Sequence, residues 1–284
     1  MSWIITGTEA APQLLDAYPG AAAAYSLRNL SWAYGGPVVR VRRSSDNTEQ
    51  DFTATQITDG TLTTFCGAGN GFIRTWYDQS GNSRNATQTT TTNQPIIVSS
   101  GSLQILNSRP ALSFDGSSQY LSAHAVAADF TGTDKPASAF HVSKVNNNTS
   151  FMSPAVLGNS ANNNSLFVLG DYFNNNTLNF GKRNDSNTEK FTRSGVPGTS
   201  QNLITGITNG VIMNGYHQSV AVVANFDVSV GLITLDRFTI GAHERVSVGS
   251  YVNGFIQEVV YYSSDQSTNR TAIEANINAH YNIF

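Results

Sequence analysis

The 284-residue sequence has one cysteine, Cys66, and few charges: Asp, Glu, Lys and Arg make up 12% of it, about half the globular norm of roughly 25%. A lone cysteine excludes an intrachain disulfide and any Cys-based metal or redox pair. It lies in TTFCGAGNG, residues 63–71, where it reads as a small buried thiol. A net charge of -3 and a pI near 5.9 leave no clustered cations to track phosphate, so neither nucleic acid nor anionic lipid is an expected partner. No stretch approaches the roughly 18 apolar residues of a membrane span. The start, MSWIITGTEAAPQLL, lacks a basic n-region and a long apolar core, which predicts a chain without a secretory signal, made in a cytoplasm. Polarity comes instead from Ser, Thr, Gln and above all Asn, 29 residues of the chain.

The apolar residues fall in short runs rich in β-branched and aromatic side chains. Examples are PVVRVRR, GFIRTWY, NSLFVLG, QSVAVVANF and GFIQEVVYY. Asn209-Gly210, Asn214-Gly215 and Asn253-Gly254 suit turns that need positive φ. Eleven or more such strands predict an all-β sandwich of two antiparallel sheets. Two segments depart from this rhythm. Residues 13–32, with their Ala-rich stretch and Leu27 and Leu30, predict an early helix. At the C-terminus, Ile273, Ile277, Tyr281 and Phe284 share a helical stripe, with Thr271 and Glu274 spaced as a capping box. The expected organisation is an arm over residues 1–12 and a single domain over 13–284. Asn-rich tips cluster between residues 145 and 177.

Chemistry-bearing motifs are sparse. The five histidines show no metal-ligand spacing, and no G-x-S-x-G nucleophile motif occurs. GAGNG reads as a turn rather than a phosphate loop. SSDNTEQD, residues 44–51, is the loop best suited to a structural calcium ion, and no other cofactor is expected. A glycosidase needs two carboxylates across a cleft. Glu258, inside GFIQEVVYY, is an unusual acid in a strand, with an outward polar position or a structural hydrogen bond as its simpler reading. TWYDQSGNSRNATQ, residues 75–88, leaves two readings open. Trp76 anchors the core while Asp78 and Ser80 bond the turn at Gly81, or Trp76 or Tyr77 stacks a sugar ring while Asp78 and Asn82 accept its hydroxyls.

Three stretches carry a resemblance. AAAAYSLRNLSWAYGGPVVRVRRSSDNTEQDF, GFIRTWYDQSGNSRNATQ and NQPIIV resemble the N-terminal part of the arabinofuranosidase B catalytic domain. RPALSFDGSSQYLS and the segment from FTIGAH to NAHY resemble strands of laminin G-like, concanavalin A-like jelly rolls, and the combination is similar to domains of tailed-bacteriophage structural proteins. The resemblance implies a concanavalin A-like jelly roll displayed on a virion surface. It would be attached to other virion proteins by the arm, assembled as a homo-oligomer such as a trimer, and would adhere to cell-surface or environmental glycans without being an enzyme. The expected carbohydrate-binding residues are Asp171, Tyr172, Asn174 and Asn175, with Trp76 and Asp78 as the alternative. A glycoside hydrolase or depolymerase acting on arabinose-containing polysaccharide is the competing reading, and a purely structural capsid cement protein the third.

Overall fold

The computed structural model describes residues 12–147, 150–195 and 198–284. Its centre is the ten-residue strand Asn253–Tyr262, whose length and bulky side chains let it bury both faces. On one side it pairs antiparallel with Ala23–Ser26 and Leu112–Asp115, and on the other with Ala137–Val145. The sheet continues through Asn202–Thr208, Ile212–His217 and Val220–Asp227. A second run of strands begins at Glu49–Phe52, Val39–Arg43 and Gly71–Trp76, and crosses Ala86–Thr87, Leu121–Ser122 and Arg237–Ile240. It ends at Ala155–Gly158, Leu166–Phe173, Thr177–Arg183 and Glu189–Gly195. The predicted all-β sandwich is what the chain forms.

Between the layers lies a core that includes Tyr25, Trp76, Phe114, Phe180, Phe238 and Tyr261. The helix Arg270–Tyr281 covers the outer face of the first sheet, setting Ile273, Ile277 and Tyr281 against Phe140, Leu203, Val260 and Tyr262. Its expected capping box is absent: Asn269 occupies the N-cap without a side-chain capping bond, its amide donating to Gln266 instead, and Glu274 turns to Ser219 and Arg270. Phe284 lies beyond the helix and is exposed.

The period-two alternation of the central strand is broken by a bulge. The register against Ala137–Val145 slips between Val142 and Ser143, so Ile256 joins Val259 and Tyr261 in the core, while Val260 and Tyr262 face the helix.

Residues 13–32 do not form the expected helix beyond Leu14–Ala17. The alanines enter the strand Ala23–Ser26, fully buried, with Ala23 in the main core and Ala24 under the C-terminal helix. Small side chains fit a strand packed on both faces, and this tertiary demand overrides helix propensity. Asn214-Gly215 is likewise not a turn. Gly215 sits within Ile212–His217, where a Cβ would come within 2.7 Å of the Phe180 ring.

Ser26 pairs in register with Glu258, whose side chain is fully buried. Arg28 meets that carboxylate with Nε at 2.8 Å and Nη2 at 3.0 Å, and the hydroxyls of Ser26 and Tyr281 donate to it at 2.8 and 3.2 Å. Burial alone would raise the Glu258 carboxyl, but Arg28 and Ser26 hold it below its ordinary value. Glu258 is therefore a structural acid. Replacing it by Gln leaves the Arg28 cation without its counter-charge, and is expected to cost about 3–5 kcal/mol in urea unfolding. A change below about 0.5 kcal/mol would show that the pair is dispensable.

Candidate functional site

The residues first expected to bind sugar are not brought together on a surface. Trp76 is fully buried against Tyr25, with ring centroids 5.9 Å apart. Asp78 accepts from the backbone N–H groups of Ala24, Ser80 and Arg84 at 2.9, 2.9 and 3.0 Å, and the Asn82 amide donates to the carbonyls of Ala21 and Ala22. This segment staples its loop to the first strand, which settles the choice in favour of the structural reading.

Asp171 and Tyr172 lie in the strand Leu166–Phe173 and are 0% exposed, so they correct the expectation of a glycan-facing pair. Asp171 accepts from Ser153 Oγ at 2.7 Å while its other oxygen is unpartnered, and burial pushes its carboxyl well above the ordinary range. Tyr172 shares its hydroxyl with Ser143 and Asn202, each at 3.0 Å, and burial pushes it up to about 12. Only Asn174 and Asn175 are exposed, in the turn after the strand. The 44–51 loop does not converge on a cation either. Asp46 binds Arg43, Glu49 and Asp51 bind Arg40, and Asn47 accepts from Arg42.

A different assembly has the character of a ligand site. The loop over residues 83–90 and the segment 120–125 enclose a polar cleft of about 520 Å³, with Glu244 as its lining carboxylate. Short strands position it. Ala86–Thr87 pairs with Leu121–Ser122, which pairs with Arg237–Ile240, and Glu244 follows in the two-residue strand His243–Glu244. Alternation turns His243 inward, edge-on to Phe151, and Glu244 outward. Glu244 lies 2.9 Å from His124 Nε2 and 3.1 Å from Arg237 Nε. Burial would raise its carboxyl, yet the bond and charge of His124, the charge of Arg237 and the Ser122 hydroxyl hold it below the ordinary value. It is therefore ionised at neutral pH. Arg84 is fixed by both oxygens of Asp129, and Tyr120, whose ring centroid is 6.3 Å from that of Tyr251, forms part of the wall. Hydroxyls and amides of Asn85, Thr87, Gln88 and Thr90 supply directional partners.

Sequence reasoning passes over Glu244 because the histidines, His243 beside it included, are read only for metal-ligand spacing. Its signal was an acid one residue beyond an inward histidine at a strand end.

Residues 16–102 match a family model described as α-L-arabinofuranosidase B, catalytic. The fold is shared with a GH54 α-L-arabinofuranosidase soaked with a cyclic sulfate inhibitor, at 15% identity and a TM-score of 0.58 over 91% of this chain and 62% of that one. It is shared also with an arabinofuranosidase complexed with arabinofuranosyl-α-1,2-xylobiose, at 14% identity and a TM-score of 0.62 over 94% of this chain and 64% of that one. This chain thus spans less than two thirds of either enzyme. No curated protein matches the sequence. The expectation of a non-enzymatic module is corrected by these findings: the matching family model is that of a catalytic domain, and both solved structures are arabinofuranosidases.

The state of Asp171 is testable. A carboxyl whose native value is raised is protonated in the folded chain, so its contribution is fully present below the unfolded value near 3.8 and is lost as pH rises toward the native value. Asp171→Asn should therefore stabilise the protein relative to wild type increasingly above pH 4, by about 1.4 kcal/mol per pH unit. Urea midpoints across that range read this slope, and a pH-independent difference would show an ionised native carboxylate.

Proposed function

We propose that this chain is a carbohydrate-active domain that takes a pentose-bearing glycan into the Glu244 cleft, with Glu244 as the reacting carboxylate. The observation that carries the reading is an ionised acid among hydroxyls and amides in a saccharide-sized cleft. The match of residues 16–102 to an arabinofuranosidase catalytic model supports the substrate class. Glycoside cleavage calls for an anionic group near the anomeric carbon and a proton for the leaving oxygen. Glu244 supplies the first, held in place by His124 at 2.9 Å and Arg237 at 3.1 Å. Hydroxyl and amide groups on the cleft walls then orient the sugar at modest affinity.

Incubation with aryl α-L-arabinofuranosides and arabinoxylan, assayed by reducing ends, is expected to give turnover that falls at least about a hundredfold in Glu244→Gln while saccharide binding persists. Binding without turnover in the wild type would overturn the chemical role of Glu244. Absence of both would overturn the cleft as a glycan site.

We also place this glycan contact on a virion surface, in a symmetric homo-oligomer such as a trimer, with residues 1–12 as the attachment arm. The amide-rich, low-charge composition supports this placement, and of the arm only Pro12 belongs to the described residues. Deleting residues 1–12 should abolish particle incorporation and leave a soluble fold; a truncated chain that still incorporates would refute the tether.

A further inference from the structure

A second cleft, of about 790 Å³, shares no lining residue with the first. This volume lies within the roughly 300–1,000 Å³ typical of ligand sites. It is built on the strands Thr177–Arg183 and Glu189–Gly195 at the far end of the second layer, with Phe173, Phe191 and Phe226 as its aromatic walls.

Three features give it a chemistry. The first is an unmade bond: Asn179 is 5% exposed, and its side-chain oxygen is buried with no partner. A buried acceptor left open is a cost that a ligand hydroxyl would remove. The second is an uncommitted cation. Lys190 is matched to Asp227 and Arg183 to Glu189, whereas Arg193 has no carboxylate partner among the described residues. Its guanidinium lies over the Phe173 ring, 3.8 Å from the centroid, an arrangement that leaves N–H groups at its edge to meet an anion. The third is register. Asn179 and Arg193 are Cα partners across the two strands, so both side chains leave the same face of the sheet with their Cβ atoms about 5 Å apart.

We propose that this cleft binds an acidic saccharide of the uronate class. The sugar carboxylate pairs with Arg193, a ring hydroxyl donates to Asn179 Oδ1, and the apolar face of the ring lies on the phenylalanines. A carboxylate is preferred to a phosphate at Arg193, because Glu189 lines the same cleft and Asp227 sits on its Lys190, and both repel the second charge that a phosphate concentrates on one group. The pairing is charge-assisted and bidentate in form, and so sensitive to the shape of the donor as well as its charge.

Calorimetric titration of the full chain with digalacturonate, its methyl ester and a neutral xylobiose tests this. Digalacturonate should bind near the millimolar range, about 4 kcal/mol, and weaken as salt rises. Arg193→Ala should weaken it at least about tenfold, Arg193→Lys should keep part of the affinity, and the ester should bind like xylobiose. Glu244→Gln should leave digalacturonate binding unchanged, which separates this cleft from the one proposed for pentose glycans. Equal binding of acid and ester, indifference to Arg193→Ala, or no binding of digalacturonate up to about 10 mM would overturn the proposal.

Discussion

The buried pair between Arg28 and Glu258 joins the first strand, the central strand and the terminal helix at one point. Glu258 receives four bonds from three residues, two of them from Arg28, and Arg28 also donates to the Asn276 side-chain amide oxygen on the helix. Such a pair gains little over well-packed apolar groups, because desolvation offsets its Coulomb attraction. Its effect is on register. A one-residue slip of Asn253–Tyr262 would send Glu258 into the Tyr25 and Trp76 core and withdraw it from Arg28 and Tyr281. The bulge at Val142/Ser143 makes this register unusual, with Ile256 and Val259 on one face. The ion pair thus marks which arrangement of an otherwise apolar strand is correct.

The same economy governs most other acids. Asp78, Asp115, Asp134, Asp185 and Asp236 each accept backbone N–H groups from turns or loops, several with a serine or threonine hydroxyl on the second oxygen. A chain with few carboxylates spends them on closing its loops, where each satisfies donors that would otherwise face a buried or half-buried site. Cations are used in a similar way. Lys182 is almost fully buried, donates to the carbonyls of Gly210 and Lys135, and is brought down to about 8, chiefly by burial. Against this pattern Glu244 stands out, because its partners leave it ionised on the wall of an open cleft.

The sandwich was legible because strand runs, turn residues and an amphipathic terminal helix all leave local signals. Trp76 as a core anchor and the structural use of Glu258 were also within reach, since a large indole beside a polar turn and an acid in an apolar strand each have a simple packing solution. The failures share a cause. AAAAY reads as helix because a strand flanked on one side by a core and on the other by a helix leaves no local mark beyond small size. Asp171 reads as a loop ligand because VLGDYFNNNT does not reveal that its strand runs three residues past the glycine before turning. The Glu244 cleft depends on short strand pairings, two of them between residues far apart in sequence, and no window of the chain contains it.

Because most charges are neutralised in local pairs, this surface attracts little from a distance. Arg40 with Glu49 and Asp51, Arg43 with Asp46, Arg84 with Asp129 and Lys190 with Asp227 cancel within a few ångströms, well inside the Debye length of about 8 Å. Long-range steering is therefore weak, and selectivity has to arise on contact, from the direction of hydroxyls, amides and aromatic faces. In that setting a single charged group left on the wall of a cleft has unusual weight. Glu244 and Arg193 are of opposite sign and sit in clefts built on different strands, so the two sites separate ligands by charge even where their hydrogen-bonding walls are alike.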